Sequence, residues 1–251
     1  MTNWILPPRL LTWPKTLEQK YNSQRTVGLV SGGSFTYGTN QVTMAASWPG
    51  YLYERCGLES VIDLSYPQMN NQYIGDSIID AVESMTLEKR SNVFVVVMWN
   101  GVSHIQGKNT ESNKNWPVIN GKIYDPTIVT SQDISVRVRQ DYEIICKTGD
   151  CLRDYNIPYA FTFYANILFP PLLPTPDDLK KFYKNIKTDE IKKMQSYNLI
   201  PSDQKLYLYD YTFFNGQSDG DGYHPDIHTR FSWTDQVLLP ELIKLGIIQL
   251  N

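Results

Sequence analysis

Thr26-Val27-Gly28-Leu29-Val30-Ser31-Gly32-Gly33-Ser34-Phe35-Thr36-Tyr37-Gly38 is the stretch from which the rest of the chain is read. Residues 26–30 form a short apolar run of strand character that passes straight into two glycines and a serine. Glycine lacks a Cβ, so Gly32-Gly33 allows a tight exit from the strand and leaves the next side chain projecting. A serine on such a turn, with backbone N–H groups beside it, meets the geometric needs of a nucleophile. Glycine and serine are common in turns, so Ser34 needs partners elsewhere before it means anything chemical.

Working outward, further apolar runs of strand length occur at 61–64, 93–98 and 159–164, with a weaker one at 205–209. Val93-Phe94-Val95-Val96-Val97-Met98 is apolar without a break, as expected of a strand covered on both faces. Helical patterns lie between these runs. Ile78, Ile79, Val82 and Met85 share one helical face. Thr130-x-x-Asp133 is a capping box ahead of Ile134, Val138, Tyr142 and Ile145. Thr175-Pro176-Asp177-Asp178 has the order of a helix start. Ser232-x-x-Asp235 opens a last helix that runs to Leu245, stops at Gly246 and bends at Pro240. Alternation of the two kinds of segment predicts an α/β fold: a three-layer α/β/α sandwich with a mainly parallel sheet of about five strands.

Residues 25–251 read as one domain, with no internal repeat or linker. Residues 1–24, with two Trp and three Pro, read equally as an arm packed on that domain or as a docking segment. The polar stretch 104–128 follows the third strand and contains Val118-Ile119-Asn120-Gly121-Lys122-Ile123, a small hairpin pattern with an Asn-Gly turn. At the C-terminal edge of a parallel sheet it is either a substrate-selecting insertion or a decorative loop.

The partners of Ser34 are sought near Asp219-Gly220-Asp221-Gly222-Tyr223-His224-Pro225. Imidazole can take and return a proton near neutrality, and a carboxylate fixes its tautomer and stabilises the imidazolium. The chain has three histidines (His104, His224 and His228), and Asp221 stands three residues before His224. His224 and His228 as a metal pair are disfavoured by Pro225 between them and by the lack of a third ligand. Asn215-x-Gln217-x-Asp219-Gly220 is a poor calcium loop.

Together the two blocks resemble the SGNH/GDSL hydrolase family. Its first block reads Gly-Asp-Ser-x-Thr-x-Gly, and Gly32, Ser34, Thr36 and Gly38 stand in register; Gly33 replaces the aspartate, as in phage-type members. Its last block, Asp-x-x-His-Pro, matches Asp221, His224 and Pro225. The resemblance implies a flavodoxin-like SGNH hydrolase fold and a Ser34–His224–Asp221 triad. It further implies an oxyanion hole from the Ser34 N–H, the backbone at Gln68 (where the family has glycine) and the side-chain amide of Asn100, in Met98-Trp99-Asn100-Gly101. Trp99, Asn71 and Tyr223 flank these blocks and are the expected substrate-contacting side chains. No metal or organic cofactor is implied.

Composition narrows the choice of partner. Of 251 residues, 41% are hydrophobic and 20% charged, with a net charge of −3. That balance suits a globular domain and gives no broad cationic footprint for nucleic acid. The start, MTNWILPPRLLTWPK, lacks an unbroken signal-type apolar core, and no run approaches the ~20 apolar residues of a membrane span. A soluble chain without a signal peptide, cytoplasmic or virion-associated, is expected. Cys56, Cys146 and Cys151 read as reduced thiols, although a Cys146–Cys151 bridge is open. Abundant aromatic residues, 13% of the chain, and the phage-like first block point to an O-acetyl ester on a carbohydrate as substrate. The competing readings are a lipid esterase or thioesterase, and a catalytically silent binding or virion module on the same scaffold.

Overall fold

A computed structural model describes residues 9–12, 15–38, 44–67, 69–100, 118–119, 122–123, 134–164, 192–193, 196–200, 207–208, 211 and 224–251. Its centre is a sheet of five strands, β1 (Arg9–Leu11), β3 (Val27–Gly32), β4 (Ser60–Asp63), β5 (Val93–Trp99) and β8 (Tyr159–Phe163). Their order across the sheet is β1-β4-β3-β5-β8. β4, β3, β5 and β8 run parallel, and β1 joins antiparallel at the β4 edge with Arg9 opposite Asp63. The α/β architecture with a mainly parallel five-stranded sheet is the one expected.

The fifth strand is not the expected one. Tyr207 and Leu208, inside the weak 205–209 pattern, are not in a strand; their side chains fill the two cores instead. The edge is supplied by β1, out of the segment set apart as an arm. That segment is tied down along its described length. Glu54, on α2 (Trp48–Arg55), accepts from the Thr16 and Leu17 N–H groups at 2.8 and 2.7 Å. Arg55 donates to the Glu18 carbonyl, and β2 (Tyr21–Asn22) pairs with β9 (Gln249–Leu250) at the other end of the chain.

β5 shows why its sequence has no polar position. Val93, Val95, Val97 and Trp99 face one cluster and Phe94, Val96 and Met98 the other, with every side chain at most 1% exposed. Alternate residues of a strand point to opposite faces, so burial on both faces demands a continuous apolar run. The first face is covered by α3 (Asn71–Ser84) and, beyond the short helix α4 (Leu87–Ser91), by α5 (Ile134–Asp154), through Ile74, Ile78, Val82 and Ile145. Trp48, Leu52, Trp233 and Leu239 cover the second, carried by α2, α6 (Ile227–Trp233) and α7 (Leu239–Lys244).

The last helical region starts earlier than its sequence pattern suggests. Asp226, not Ser232, caps it, accepting from the Thr229 N–H at 2.7 Å. Ser232 bonds Tyr211 and Asp235 accepts from Tyr51, so both are occupied in tertiary contacts. A π-helical turn over Thr234–Leu238 separates α6 from α7, and Pro240, the second residue of α7, follows it directly and withdraws one N–H from the helical run. Within the 104–128 stretch, β6 (Val118–Ile119) and β7 (Lys122–Ile123) pair antiparallel in the expected hairpin register. The helix start at 175–178 and the Thr130/Asp133 box lie outside the described residues. Cys56, Cys146 and Cys151 are free thiols. No helix among the described residues is long and apolar enough to cross a membrane.

Candidate active site

Strand β3 has β4 on one side and β5 on the other, so connections diverge at its C-terminal end and leave a crevice there. Ser34 stands at that end, as the first residue of the short helix α1 (Ser34–Tyr37). The glycines around it have separable tasks. A Cβ on Gly32 would lie 2.1 Å from Thr36 Oγ1, so only glycine lets Thr36 fold back beneath the turn. Gly38 ends α1 at φ +75°, in the left-handed region, and its N–H donates to the Ser34 carbonyl.

His224 comes from the far end of the chain, two residues before the cap of α6. Its Nε2 lies 3.0 Å from Ser34 Oγ. That is hydrogen-bond distance for transfer of the hydroxyl proton. Phe35 holds the imidazole from one side, with ring centroids 5.1 Å apart, and itself stacks on Tyr164 at 4.8 Å. In the sequence, Phe35 is marked only as the aromatic directly after the serine, and nothing ties Tyr164 to it.

Asn100 follows β5, is 4% exposed and sits against the same turn. A Cβ on residue 33 would lie 2.5 Å from Asn100 Oδ1 and 2.8 Å from Nδ2. The space that any side chain at position 33 would need is therefore filled by the Asn100 amide. That gives the departure Gly33 a physical reason. Asn100 Nδ2 donates to the Met69 carbonyl, and the Asn100 backbone is bonded on both sides by Asn71.

Two of the expected substrate contacts are placed otherwise. Trp99 is wholly buried among the α3/α5 core residues, edge-on to Phe161 with centroids 5.3 Å apart. A side chain so enclosed has no face for a ligand, and its strand parity with Val93, Val95 and Val97 explains why. Asn71 is 2% exposed and spends its amide on Asn100. Gln68, Asp221 and Tyr223 lie outside the described residues.

Behind the site is a polar cluster that the sequence did not signal. Asp63, buried at the end of β4, pairs with Arg9 of β1 and accepts from the Ser65 N–H at 2.8 Å and from the Ser65 hydroxyl. Burial pushes its carboxyl above the ordinary range, while Arg9 and Ser65 pull the other way. The Arg9 guanidinium also lies 3.8 Å from the Tyr37 ring centroid, at the end of α1. Among the described residues, no three His, Cys, Asp or Glu side chains gather as metal ligands.

No family model and no curated protein matches the chain. Solved structures do. TesA superposes with a TM-score of 0.54 at 13% identity, covering 87% of this chain and 99% of TesA. The salicylyl-acyltransferase SsfX3 from a tetracycline biosynthetic pathway gives 0.52 at 12% identity, covering 90% of this chain and 56% of SsfX3. At these identities the likeness establishes the fold.

Proposed function

We propose that this chain is a serine ester hydrolase of the SGNH type, working through an acyl-enzyme on Ser34, with an O-acetylated carbohydrate as its substrate class. The approach of His224 Nε2 to Ser34 Oγ at 3.0 Å supports the reading most directly. Residues 190 positions apart meet there in the crevice where open α/β sheets bind ligands.

In this mechanism His224 takes the hydroxyl proton as Ser34 Oγ attacks the ester carbonyl. Asp221, assigned by its sequence spacing, orients the imidazole and stabilises the imidazolium. The Ser34 N–H, the backbone at Gln68 and the Asn100 amide receive the negative charge of the tetrahedral oxygen. Collapse breaks the bond to the alcohol, which leaves with the proton from His224. A water, deprotonated by His224, then attacks the acyl-enzyme, releases the acid and restores Ser34.

A catalytically silent module is the competing reading. The departures Gly33 and Gln68 from the family's blocks favour it, but a Cβ at position 33 would overlap the Asn100 amide, which gives Gly33 a structural reason of its own. Hydrolysis of p-nitrophenyl acetate by wild type and Ser34→Ala separates the two. The hydrolase reading predicts at least about a thousand-fold loss, in line with removal of a nucleophile whose oxyanion hole persists. Equal rates favour the silent module. For the substrate, a panel of acetylated polysaccharides set against esters of lengthening acyl chain decides; a preference for long chains removes the deacetylase assignment.

A further inference from the structure

We infer that Asn71 is a positioning residue: its side-chain amide, paired with the backbone of Asn100, fixes the Asn100 side chain beside the nucleophile turn. The inference rests on the hydrolase reading above, in which Asn100 donates to the oxyanion.

The geometry is reciprocal. Asn71 Nδ2 donates to the Asn100 carbonyl at 3.0 Å, and Asn71 Oδ1 accepts from the Asn100 N–H at 2.7 Å. Both residues are at most 4% exposed. A primary amide has one carbonyl and one NH2 group, and Asn71 uses both on a single backbone residue. Such a two-point contact fixes rotation as well as distance. Asn100 is the residue after β5 and has no strand partner to hold it, since the β5–β8 register ends at Trp99. Asn71 takes over where the sheet stops.

Asn71 is itself held. It is the first residue of α3, directly after the cap Asn70, which accepts from the Tyr73 N–H at 2.9 Å. α3 is anchored through Ile74 and Ile78 on the sheet. The position of Asn100 is thereby referred to the rigid frame and not to its own loop. On the opposite side the amide of Asn100 occupies the space beside Gly33 that a Cβ there would take. One of its two N–H bonds goes to the Met69 carbonyl. Its orientation is then set, and the second N–H is the one the mechanism assigns to the oxyanion. A donor for a transition-state charge acts at full strength only if it is already in place, and misplacement by about 1 Å can cost on the order of a hundred-fold. Asn71 thus acts on the reaction through Asn100, without touching substrate.

The test is a double-mutant cycle on p-nitrophenyl acetate hydrolysis, with wild type, Asn71→Ala, Asn100→Ala and the double variant, plus thermal melts of each. Asn71→Ala is expected to lower kcat about 10- to 100-fold with KM nearly unchanged. In the Asn100→Ala background the same change is expected to lower kcat less than about three-fold, because no amide remains to misplace. Asn71→Asp keeps the acceptor toward the Asn100 N–H but sets a second oxygen against the Asn100 carbonyl, so kcat is expected to fall as in the alanine variant; it replaces the alanine in the cycle should that variant fail to fold. An equal fall in kcat in both backgrounds overturns the positioning role while leaving the hydrolase reading intact. A wild type no faster than Ser34→Ala overturns both.

Discussion

Gly33 is the position where a single carbon atom decides whether the site can form. Gly33→Ala would put a Cβ 2.5–2.8 Å from the polar atoms of the Asn100 amide, a side chain already bonded to the Met69 carbonyl on a backbone held by Asn71. The amide has to move, so kcat is expected to fall about a hundred-fold, the cost of losing one oxyanion donor, while KM stays within about three-fold. Steady-state kinetics check this, and wild-type kcat in Gly33→Ala would contradict it. At this scale the sequence singles out Ser34 by its glycine turn and His224 as one of three histidines, and the two side chains lie 3.0 Å apart. Trp99 flanks the Asn100 block in sequence, but its parity with Val93, Val95 and Val97 puts its side chain in the core. Asn71 was singled out, and the structure gives it a neighbour that sequence could not: the backbone of a residue 29 positions away.

Among the elements, β1 shows most plainly what a sequence conceals. It is three residues long, follows two prolines, and reads as nothing until Arg9 is seen opposite the buried Asp63. Arg9→Ala would leave that carboxylate without its cation in the interior. A loss of about 3–5 kcal/mol in unfolding free energy is expected by denaturant titration, with a smaller loss when Asp63→Asn is added, since the buried charge is then gone as well. A double variant less stable than Arg9→Ala alone would contradict the pairing. The start of α6 was misplaced for a related reason. Ser232-x-x-Asp235 has the form of a cap, but both side chains are engaged by tyrosines from other elements, whereas Asp226 directly follows a proline and does the capping. Asp226→Ala is expected to destabilise the fold by about 1 kcal/mol, measurable in the same titration. β5 and α3, by contrast, were legible because burial on two faces and on one face impose different periods on a sequence.

Over the whole molecule, two apolar clusters clamp one sheet, and the sheet delivers Ser34 and Asn100 to one edge while the C-terminal region brings His224 to meet them. The cysteines belong to this packing. Burial pushes the Cys56 thiol up to about 12 and the Cys151 thiol up to about 11. A raised thiol value means that the reactive thiolate is scarce at neutral pH and grows as pH rises toward that value. Iodoacetamide at pH 7 is therefore expected to label the folded protein slowly, faster with each step toward alkaline pH, and to leave ester hydrolysis intact. Inactivation in step with thiol labelling at pH 7 would contradict this. The central claim is that Ser34 is a nucleophile activated by His224, and covalent capture reports it without knowledge of the natural substrate. A fluorophosphonate incubated with wild type, Ser34→Ala and His224→Ala, followed by mass spectrometry of the peptides, should place one adduct on Ser34 in wild type. No adduct is expected in Ser34→Ala, and capture at least about a hundred-fold slower in His224→Ala. Capture of Ser34 at the same rate with and without the imidazole, or no adduct on Ser34 at all, would contradict it.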